Sequence, residues 1–270
     1  MSTAVLTAVD HIVVHVSDLE AAVDTYRRLG FTLTHPPADG EEAVAYSVFG
    51  DFHLEFRATT DRSLREGLHT LALRTDDIGA DVARLRSVGL QVSDPVDDTD
   101  GMVPRRSADV EAFIPILLVE HDTTTDQRDA GVRHPEPHPN TVTHLERTYI
   151  AVESIDRELG AFEEVFGVPA PELEMGTVIK SMMSVFYLGE VGIAVAEPRG
   201  AGPTADALRA NGPGMFQILF RAEHLDLADA FMVGNGLPAP ARGTRLSGES
   251  ALLVSPENAC GAYVAMAGNP

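Results

Sequence analysis

The chain has 270 residues, of which 44% are hydrophobic and 23% charged, so it can form two globular domains with apolar cores. Its 41 acidic and 20 basic residues give a formal net charge of -21, which disfavours nucleic acid and membrane surfaces as partners. The single cysteine, Cys260, excludes an internal disulfide and a cysteine-rich zinc site, and the N-terminus lacks signal-peptide features, so we expect a cytoplasmic protein.

The first predicted elements cover residues 9–57. The β-branched segment Val9–Val16 indicates a strand. The apolar spacing in Leu19–Leu29 is helical, with Asp18 as a candidate N-cap and Gly30 at the end of the helix. Strands are then predicted at Phe31–Thr34, Ala43–Phe49 and Phe52–Arg57. The order of elements is therefore β-α-β-β-β.

The same order begins again at residue 68. A strand is predicted at Leu68–Arg74, followed by a helix at Ile78–Val88 that an Asp-Asp pair caps. Strands are predicted at Leu90–Ser93, Val110–Phe113 and Ile114–Glu120. Residues 122–143 are rich in Thr, Asp and Pro and lack apolar periodicity, which indicates a linker.

Two more units are predicted after this linker. Their helices are Arg157–Phe166 and Leu225–Gly234, and their strands are Thr148–Val152, Val185–Leu188, Val191–Ala196, Met215–Arg221, Ala251–Val254 and Ala262–Met266. Four tandem βαβββ units predict an α+β fold in which the units pair into two cupped, mixed-sheet domains. We expect an N-terminal domain at 1–122, a linker at 123–143 and a C-terminal domain at 144–270, with a small ligand in a concave sheet face.

The segment VDHIVVHVSDLEAAVDTYRRLGFTLT, at residues 9–34, resembles the opening of vicinal oxygen chelate proteins. It has Asp-His near the start of a strand, Asp-Leu at the start of a helix, Tyr in that helix and then Leu-Gly-Phe. GLHTLALRTDDIGADVARLRSVGL repeats the pattern. This superfamily includes glyoxalase I, methylmalonyl-CoA epimerase, extradiol dioxygenases and bleomycin- and fosfomycin-resistance proteins.

The resemblance implies metal ligands at four strand positions, and three of them carry ligand-type residues. These are His11, Glu55 in FHLEF and His69 in GLHTL. Leu117 stands where the closing strand has a glutamate in the family, and a change of register would offer Glu120 or His121 instead. The corresponding C-terminal residues are Arg147, Val195 and Phe216, so we expect no second metal site.

Two imidazoles and a carboxylate suit a divalent metal such as Fe, Ni, Zn or Mn with positions open to substrate. Glu55 is a candidate ligand and also a candidate catalytic base. Because side chains alternate along a strand, His15 shares a face with His11, and His53 and Arg57 share one with Glu55. These three residues are the candidates for substrate binding.

The sequence therefore predicts a metal-dependent, glyoxalase-like enzyme that performs lyase, isomerase or epimerase chemistry on a small oxygenated substrate. An extradiol-type dioxygenase is one alternative, and a metal-free binding or resistance protein is another, favoured by Leu117 in the closing strand. The sequence leaves open which metal binds and whether two chains pair as a homodimer.

Overall fold

The computed structural model describes residues 6–34, 44–59, 61, 64–99, 104–121 and 137–269. The strands of the first half are β1 (Leu6–Val16), β2 (Val44–Phe49), β3 (Phe52–Ala58), β4 (Gly67–Thr75), β5 (Gln91–Val92), β6 (Val96–Thr99), β7 (Pro104–Glu111) and β8 (Pro115–His121). Those of the second half are β9 (Val142–Ala151), β10 (Glu174–Gly176), β11 (Ser181–Leu188), β12 (Val191–Pro198), β13 (Gly214–Ala222), β14 (Ala241–Thr244), β15 (Ser250–Val254) and β16 (Tyr263–Gly268). The helices are α1 (Leu19–Arg28), α2 (Ile78–Ser87), α3 (Ile155–Phe166), α4 (Pro203–Asn211) and α5 (Leu225–Gly234).

The strands form two mixed sheets, one from each half of the chain. The first has the order β2-β3-β1-β4-β8-β7-β5, with β6 paired to β7, and the second has the order β10-β11-β12-β9-β13-β16-β15-β14. In both sheets the first strand of the half lies at the centre, parallel to one neighbour and antiparallel to the other. This confirms the predicted α+β fold with two mixed sheets built from paired units.

The two helices of the first half begin at the predicted residues, and an aspartate side chain caps each N-terminus. Asp18 accepts a hydrogen bond from the backbone N–H of Ala21, and Asp77 accepts one from that of Ala80. Each carboxylate therefore satisfies a backbone donor that has no partner within its helix. Gly30 follows α1 with a φ of 89°, which a residue with a side chain adopts only with strain.

The strand predicted at Phe31–Thr34 is not formed. Among the described residues, a single bridge between Thr34 and Tyr46 connects this segment to a strand. The N–H of Phe31 bonds to the carbonyl of Tyr26, and that of Thr32 donates to Nδ1 of His138 at 3.0 Å. The N–H groups of Phe31 and Thr32 are thus used by the helix end and by a side chain of the linker, and the N–H of Thr34 bonds to Tyr46 in the bridge.

The sequence analysis assigned no element to Pro203–Asn211, which forms α4, or to the short strands β6, β10 and β14. The start of α4 is obscured by Gly200 and Gly202, which interrupt the apolar pattern, although Pro203 occupies a position that favours helix initiation. Of the strand predicted at Val110–Phe113, the first two residues end the longer β7 and the last two lie in the bend after it.

The two faces of the first sheet have different environments. The helices cover one face, where Ile12 and Val14 of β1 and Leu71 of β4 join a large apolar cluster. The same cluster contains residues of the second half, and Phe220 packs on Phe31 with ring centroids 5.3 Å apart. The helix-covered faces of both sheets therefore share one core, and the opposite faces, which we call the first cup and the second cup, point away from it.

Residues 122–136 of the predicted linker lie outside the described residues, and residues 137–143 are packed against the first half. His138 lies between the N–H of Thr32 and the carbonyl of Val48, 3.0 Å from each. Asn140 donates from its side chain to the carbonyl of Leu29. Among the helices described, none has the length and apolar character needed to cross a membrane.

Candidate metal centre

The polar residues of the first cup are aligned by strand register. In the parallel pair of β1 and β3, His11 lies opposite His53 and Val13 lies opposite Glu55. Residues that face each other across a ladder project to the same side of the sheet, so His11, His53 and Glu55 share the face away from the helices. All three are buried, and the side chain of Glu55 is 0% exposed.

His11 and Glu55 face each other in the middle of this row. The Nε2 atom of His11 lies 3.9 Å from Oε2 of Glu55, which is too far for a hydrogen bond. Within the described part of the chain, neither atom has a hydrogen-bond partner. Burying an imidazole nitrogen and a carboxylate oxygen without hydrogen-bond partners costs free energy. The space between these two atoms is therefore a candidate position for an ion or molecule that binds both.

Asp10 is brought to the same face by a β-bulge. The register of β1 and β4 shifts between Val9 and His11, so that Asp10 is the extra residue. Its Oδ2 atom lies 2.9 Å from Nδ1 of His11, and its Oδ1 atom lies 2.7 Å from Nε2 of His121 and 3.1 Å from Nη2 of Arg74. Burial alone would raise the pKa of Asp10, but the hydrogen bonds from His11 and His121 hold it well below its ordinary value.

This contact determines the tautomer of His11. An ionised Asp10 accepts the proton on Nδ1, so the lone pair of the neutral ring lies on Nε2, the atom that faces Glu55. A carboxylate behind a histidine in this way is the arrangement that orients histidine ligands of metals and increases their basicity.

His53 completes a compact group. Its ring stacks on that of His11 with centroids 4.7 Å apart and an angle of 13° between the planes. Asp10, His11 and His53 each offer a ligand atom within 4.8 Å of the other two. The sequence analysis placed His53 among substrate-binding residues, and the structure brings it beside the candidate ligand His11.

Arg57 forms an ion pair with the other oxygen of Glu55. Its Nε atom lies 2.9 Å from Oε1, and Nη2 lies 2.5 Å from it. One carboxylate oxygen is therefore held by a cation, and Oε2 remains directed at His11. A carboxylate arranged in this way can bind a metal through a single oxygen.

His69 is not brought to this group. The register of β4 skips from Leu68 to Thr70, so His69 is the extra residue of a second bulge, and Thr70 lies opposite Val13. The ring of His69 stacks on His15 with centroids 3.9 Å apart. Because His15 is four residues from His11 along β1, His69 lies about 13 Å along the strand from the candidate centre.

The stacked pair of His15 and His69 is neutral near pH 7. Burial, followed by the charges of His69 and Arg57, lowers the pKa of His15 from 6.5 to about 4. Burial, followed by the charge of Arg65, lowers the pKa of His69. Nδ1 of His15 is buried without a hydrogen-bond partner among the described residues, which leaves it for a substrate atom.

The closing strand β8 provides a histidine instead of a glutamate. Leu117 lies opposite Ala72 of β4, which lies opposite His11, so an apolar side chain occupies the expected ligand position. Glu120 is directed to the other face and binds Arg106 at 3.1 Å, and the structure does not bring it to the centre. His121 is directed to the cup and reaches Asp10.

The second half repeats this register without ligand residues. Arg147 occupies the position of His11, and Phe216 is a bulge residue in β13 as His69 is in β4. The residue equivalent to Glu55 is Ala194, because it lies opposite Tyr149 as Glu55 lies opposite Val13. The alignment of Val195 with Glu55 was therefore off by one residue, and Val195 belongs to the apolar core.

Asp10 was missed by sequence reasoning, whereas His53 was named there as a candidate for substrate binding. Asp10 precedes His11, and strict alternation would direct it to the opposite face, so only the bulge reveals the contact. For His53 a signal was present, because it precedes Glu55 by two residues and must share its face.

Comparison with known proteins gives one family match and several similar structures. The model of the glyoxalase-like domain family matches residues 9–166, more than half of the chain. A search of the curated proteins finds no match.

Two of the similar structures bear on the fold. A mutant of 4-hydroxymandelate synthase from Streptomyces coelicolor superposes with a TM-score of 0.72 at 16% identity, covering 97% of this chain and 92% of that one. The Mn(II)-bound glyoxalase from Novosphingobium aromaticivorans gives a TM-score of 0.67 at 12% identity, covering 98% of this chain and 83% of that one. At these identities the likeness establishes the fold.

Proposed function

The chain belongs to the glyoxalase-like domain family of the vicinal oxygen chelate superfamily, and we propose that its first cup is the active site of a metal-dependent enzyme. The substrate would be a small molecule with two neighbouring oxygen atoms. The reaction would be a proton transfer of the lyase, isomerase or epimerase type. The Mn(II) bound by the glyoxalase of similar fold supports this proposal.

The observation that carries the proposal is the gap between His11 and Glu55. Atoms that bind one metal at about 2.0–2.2 Å lie at most about 4.4 Å apart, and Nε2 of His11 and Oε2 of Glu55 are separated by 3.9 Å. A divalent cation would satisfy both buried atoms at once. We therefore infer that His11 and Glu55 are ligands of this metal, with His53, whose ligand atom lies within 4.8 Å of those of His11 and Asp10, as the third.

The surrounding residues prepare this ligand set before any metal binds. Asp10 holds Nδ1 of His11, which in the neutral ring places the lone pair on Nε2. Arg57 holds Oε1 of Glu55 and keeps the carboxylate in one orientation. Because both partners are fixed in the fold, binding a cation would require little reorganisation.

The chemistry supplied by a bound divalent metal is polarisation of substrate oxygens, which acidifies a carbon-bound proton beside them. The chain itself would position the substrate through the neutral pair of His15 and His69, next to Arg57 on the adjacent strand. The guanidinium of Arg57 is 36% exposed and can bind a substrate carboxylate or hydroxyl. Glu55 would move a proton if a substrate displaced it from the cation.

Metal content is the first test. Purified protein should contain, or bind after chelation and dialysis, one equivalent of Fe, Ni, Zn or Mn. His11→Ala, Glu55→Ala and His53→Ala should lose it, and His69→Ala should keep it, because His69 is held against His15. His144→Ala is a matched control, since this histidine is exposed on the second sheet. A folded wild-type chain that binds none of these ions would instead favour the metal-free binding protein.

Turnover is the second test. The metal-loaded protein should catalyse exchange of the hydrogen next to the carbonyl of a 2-hydroxyketone or 2-oxo acid in D₂O, followed by NMR. Glu55→Gln should abolish exchange together with metal binding if Glu55 is a ligand, and exchange alone if Glu55 is the base. Retention of full exchange by folded His11→Ala would reject the assignment.

One observation favours a dioxygenase as the second candidate. Two histidines and one carboxylate, here His11, His53 and Glu55, form the ligand set of non-haem Fe(II) oxygenases. Oxygen uptake by the Fe(II)-loaded protein with catechols or 2-oxo acids tests this candidate. Uptake that requires both histidines would favour the oxygenase, and hydrogen exchange with Zn or Ni would favour the proton-transfer enzyme.

A further inference from the structure

The second cup contains a cavity of about 410 Å³, on the face of the second sheet that points away from the shared core. Its lining includes Arg147, Tyr149, Gln217, Leu219 and Ala265. Ligand pockets for small organic molecules are typically about 300–1,000 Å³ in volume. The sequence analysis expected this half to lack a metal site and assigned it no ligand.

The second cup carries small residues at three positions where the first cup has larger ones. Gly192 lies opposite Arg147 as His53 lies opposite His11. A Cβ atom at Gly192 would lie 3.3 Å from Nε of Arg147, so the glycine leaves room for the guanidinium. The positions of Glu55 and Leu117 are taken by alanines.

Two buried polar atoms of this cavity have no hydrogen-bond partner among the described residues. One is Nε of Arg147, and the other is Oε1 of Gln217. Both side chains are mostly buried, with exposures of 8% and 2%. The guanidinium group of Arg147 donates only, and its two terminal nitrogens contact Glu174 and Tyr187. The carboxamide of Gln217 can serve a ligand group of either kind after rotation.

The rest of the lining is mainly apolar. It includes Tyr149, Ile179, Met183 and Leu219, which belong to the separate apolar cluster of this cup. A ligand that fills the cavity therefore needs an apolar body with one strong acceptor at the end near Arg147. Carboxylate is the acceptor that the planar fork of arginine binds best.

We propose that the second cup is a metal-independent binding site for a small organic carboxylate with an apolar body. Arg147 binds the carboxylate, and Gln217 binds a second polar group of the ligand. Tyr187 holds one guanidinium nitrogen through its hydroxyl at 3.2 Å and keeps the group oriented.

Glu174 occupies the position of the ligand in the free protein. Its Oε1 atom lies 3.0 Å from Nη1 of Arg147, and its side chain is 49% exposed at the mouth of the cavity. An exposed carboxylate can turn into water when a ligand carboxylate arrives. The second arginine of the lining, Arg245, is neutralised by Glu146 and Glu249 on the same face, so it does not compete.

The test measures binding of benzoate and cyclohexanecarboxylate, with neutral benzamide for comparison, by calorimetry and saturation-transfer NMR in the presence of EDTA. The acids should bind and benzamide should bind much more weakly. Arg147→Gln should weaken benzoate binding about tenfold or more, because a charge-assisted hydrogen bond is lost. Glu174→Gln should tighten it, since the internal competitor loses its charge.

Two further variants distinguish loss of the binding site from loss of the fold. Ala265→Leu fills the cavity without touching Arg147 and should abolish binding, and His11→Ala alters only the first cup and should leave benzoate binding unchanged. Circular dichroism and urea unfolding verify that each variant is folded. The proposal is overturned if neither acid binds, if benzamide binds as well as benzoate, if EDTA abolishes binding, or if folded Arg147→Gln and Ala265→Leu bind like wild type.

Discussion

Asp10 is the residue whose replacement tests the candidate metal centre most sharply. Its side chain is 2% exposed, and it accepts hydrogen bonds from His11, His121 and Arg74. Asn has the same shape and no charge, and its amide group would present N–H donors to partners that also donate. We therefore expect Asp10→Asn to leave Nδ1 of His11 without a strong acceptor and its tautomer unspecified.

The expected effect on metal binding follows from this contact. Loss of the carboxylate behind a ligating histidine lowers metal affinity about 10–100-fold, which equals about 1.4–2.7 kcal/mol. The apoprotein should also lose about 3 kcal/mol of unfolding free energy, because Arg74 keeps its charge in a mostly buried site, where it is 17% exposed.

Calorimetric titration of chelator-treated protein with Mn²⁺ or Zn²⁺ measures the ratio of dissociation constants. Asp51→Asn is the matched control, because Asp51 contacts the same Arg74 at 3.7 Å but is 61% exposed and does not touch His11. Its dissociation constant should stay within about twofold of wild type. Equal affinities for wild type and folded Asp10→Asn, or an equal loss in the control, would refute the reasoning.

The remaining predictions concern pH and stability. Burial and nearby positive charges lower the pKa of His15 from 6.5 to about 4, so the unfolded chain binds the proton more readily and stability should fall as the pH decreases from about 6.5 toward about 4. Urea unfolding should show this slope, and His15→Phe should reduce it; identical slopes would contradict the assignment. Burial raises the pKa of Glu146, but hydrogen bonds and charge from Arg245 hold it below its ordinary value, so Glu146→Gln should cost about 1–3 kcal/mol at pH 7. That cost should vanish as the pH falls through the lowered pKa, and an equal cost at pH 7 and in acid would refute it. Gly261 has a φ of 82° and a Cβ there would lie 2.5 Å from a backbone carbonyl oxygen of the first half, so Gly261→Ala should cost about 2–3 kcal/mol in thermal unfolding. Gly248→Ala, at a φ of 86° with open space around it, should cost only about 1 kcal/mol, and similar losses for both would show that the close approach is unimportant.

Much of the fold could be predicted from local pattern. Period-two and helical spacing located the central strands, including β1, and four of the five helices in the described part of the chain, because each of these elements buries one face against the shared core. Capping by Asp18 was also predictable, since the carboxylate acts within a few residues of its own position. The strand expected at Phe31–Thr34 does not form. The backbone N–H of Thr32 donates instead to the side chain of a distant residue, His138.

Some features of the candidate site could likewise be predicted from the sequence, and others depend on the tertiary structure. The family resemblance of the sequence implied that His11 and Glu55 belong together, and alternation along each strand placed His15 on the face of His11 and His53 on that of Glu55. Only the tertiary structure decided that Asp10 joins the row of His11 and Glu55 and that His69 stacks on His15, four residues from His11 along β1, because Asp10 and His69 are each the extra residue of a β-bulge. A bulge changes which face a side chain occupies, and it depends on strand pairing that local sequence does not encode.

The difference between the two cups was also predictable only in part. The residue types at the repeated positions already indicated that Arg147 and Phe216 cannot hold a metal. The cavity of the second cup is lined by Arg147 of β9, Gln217 of β13, Ala265 of β16 and Ala251 of β15, which come together only when these four strands pair. The sequence thus determines the chemistry available at each position, and tertiary packing decides which positions meet and how much space remains between them.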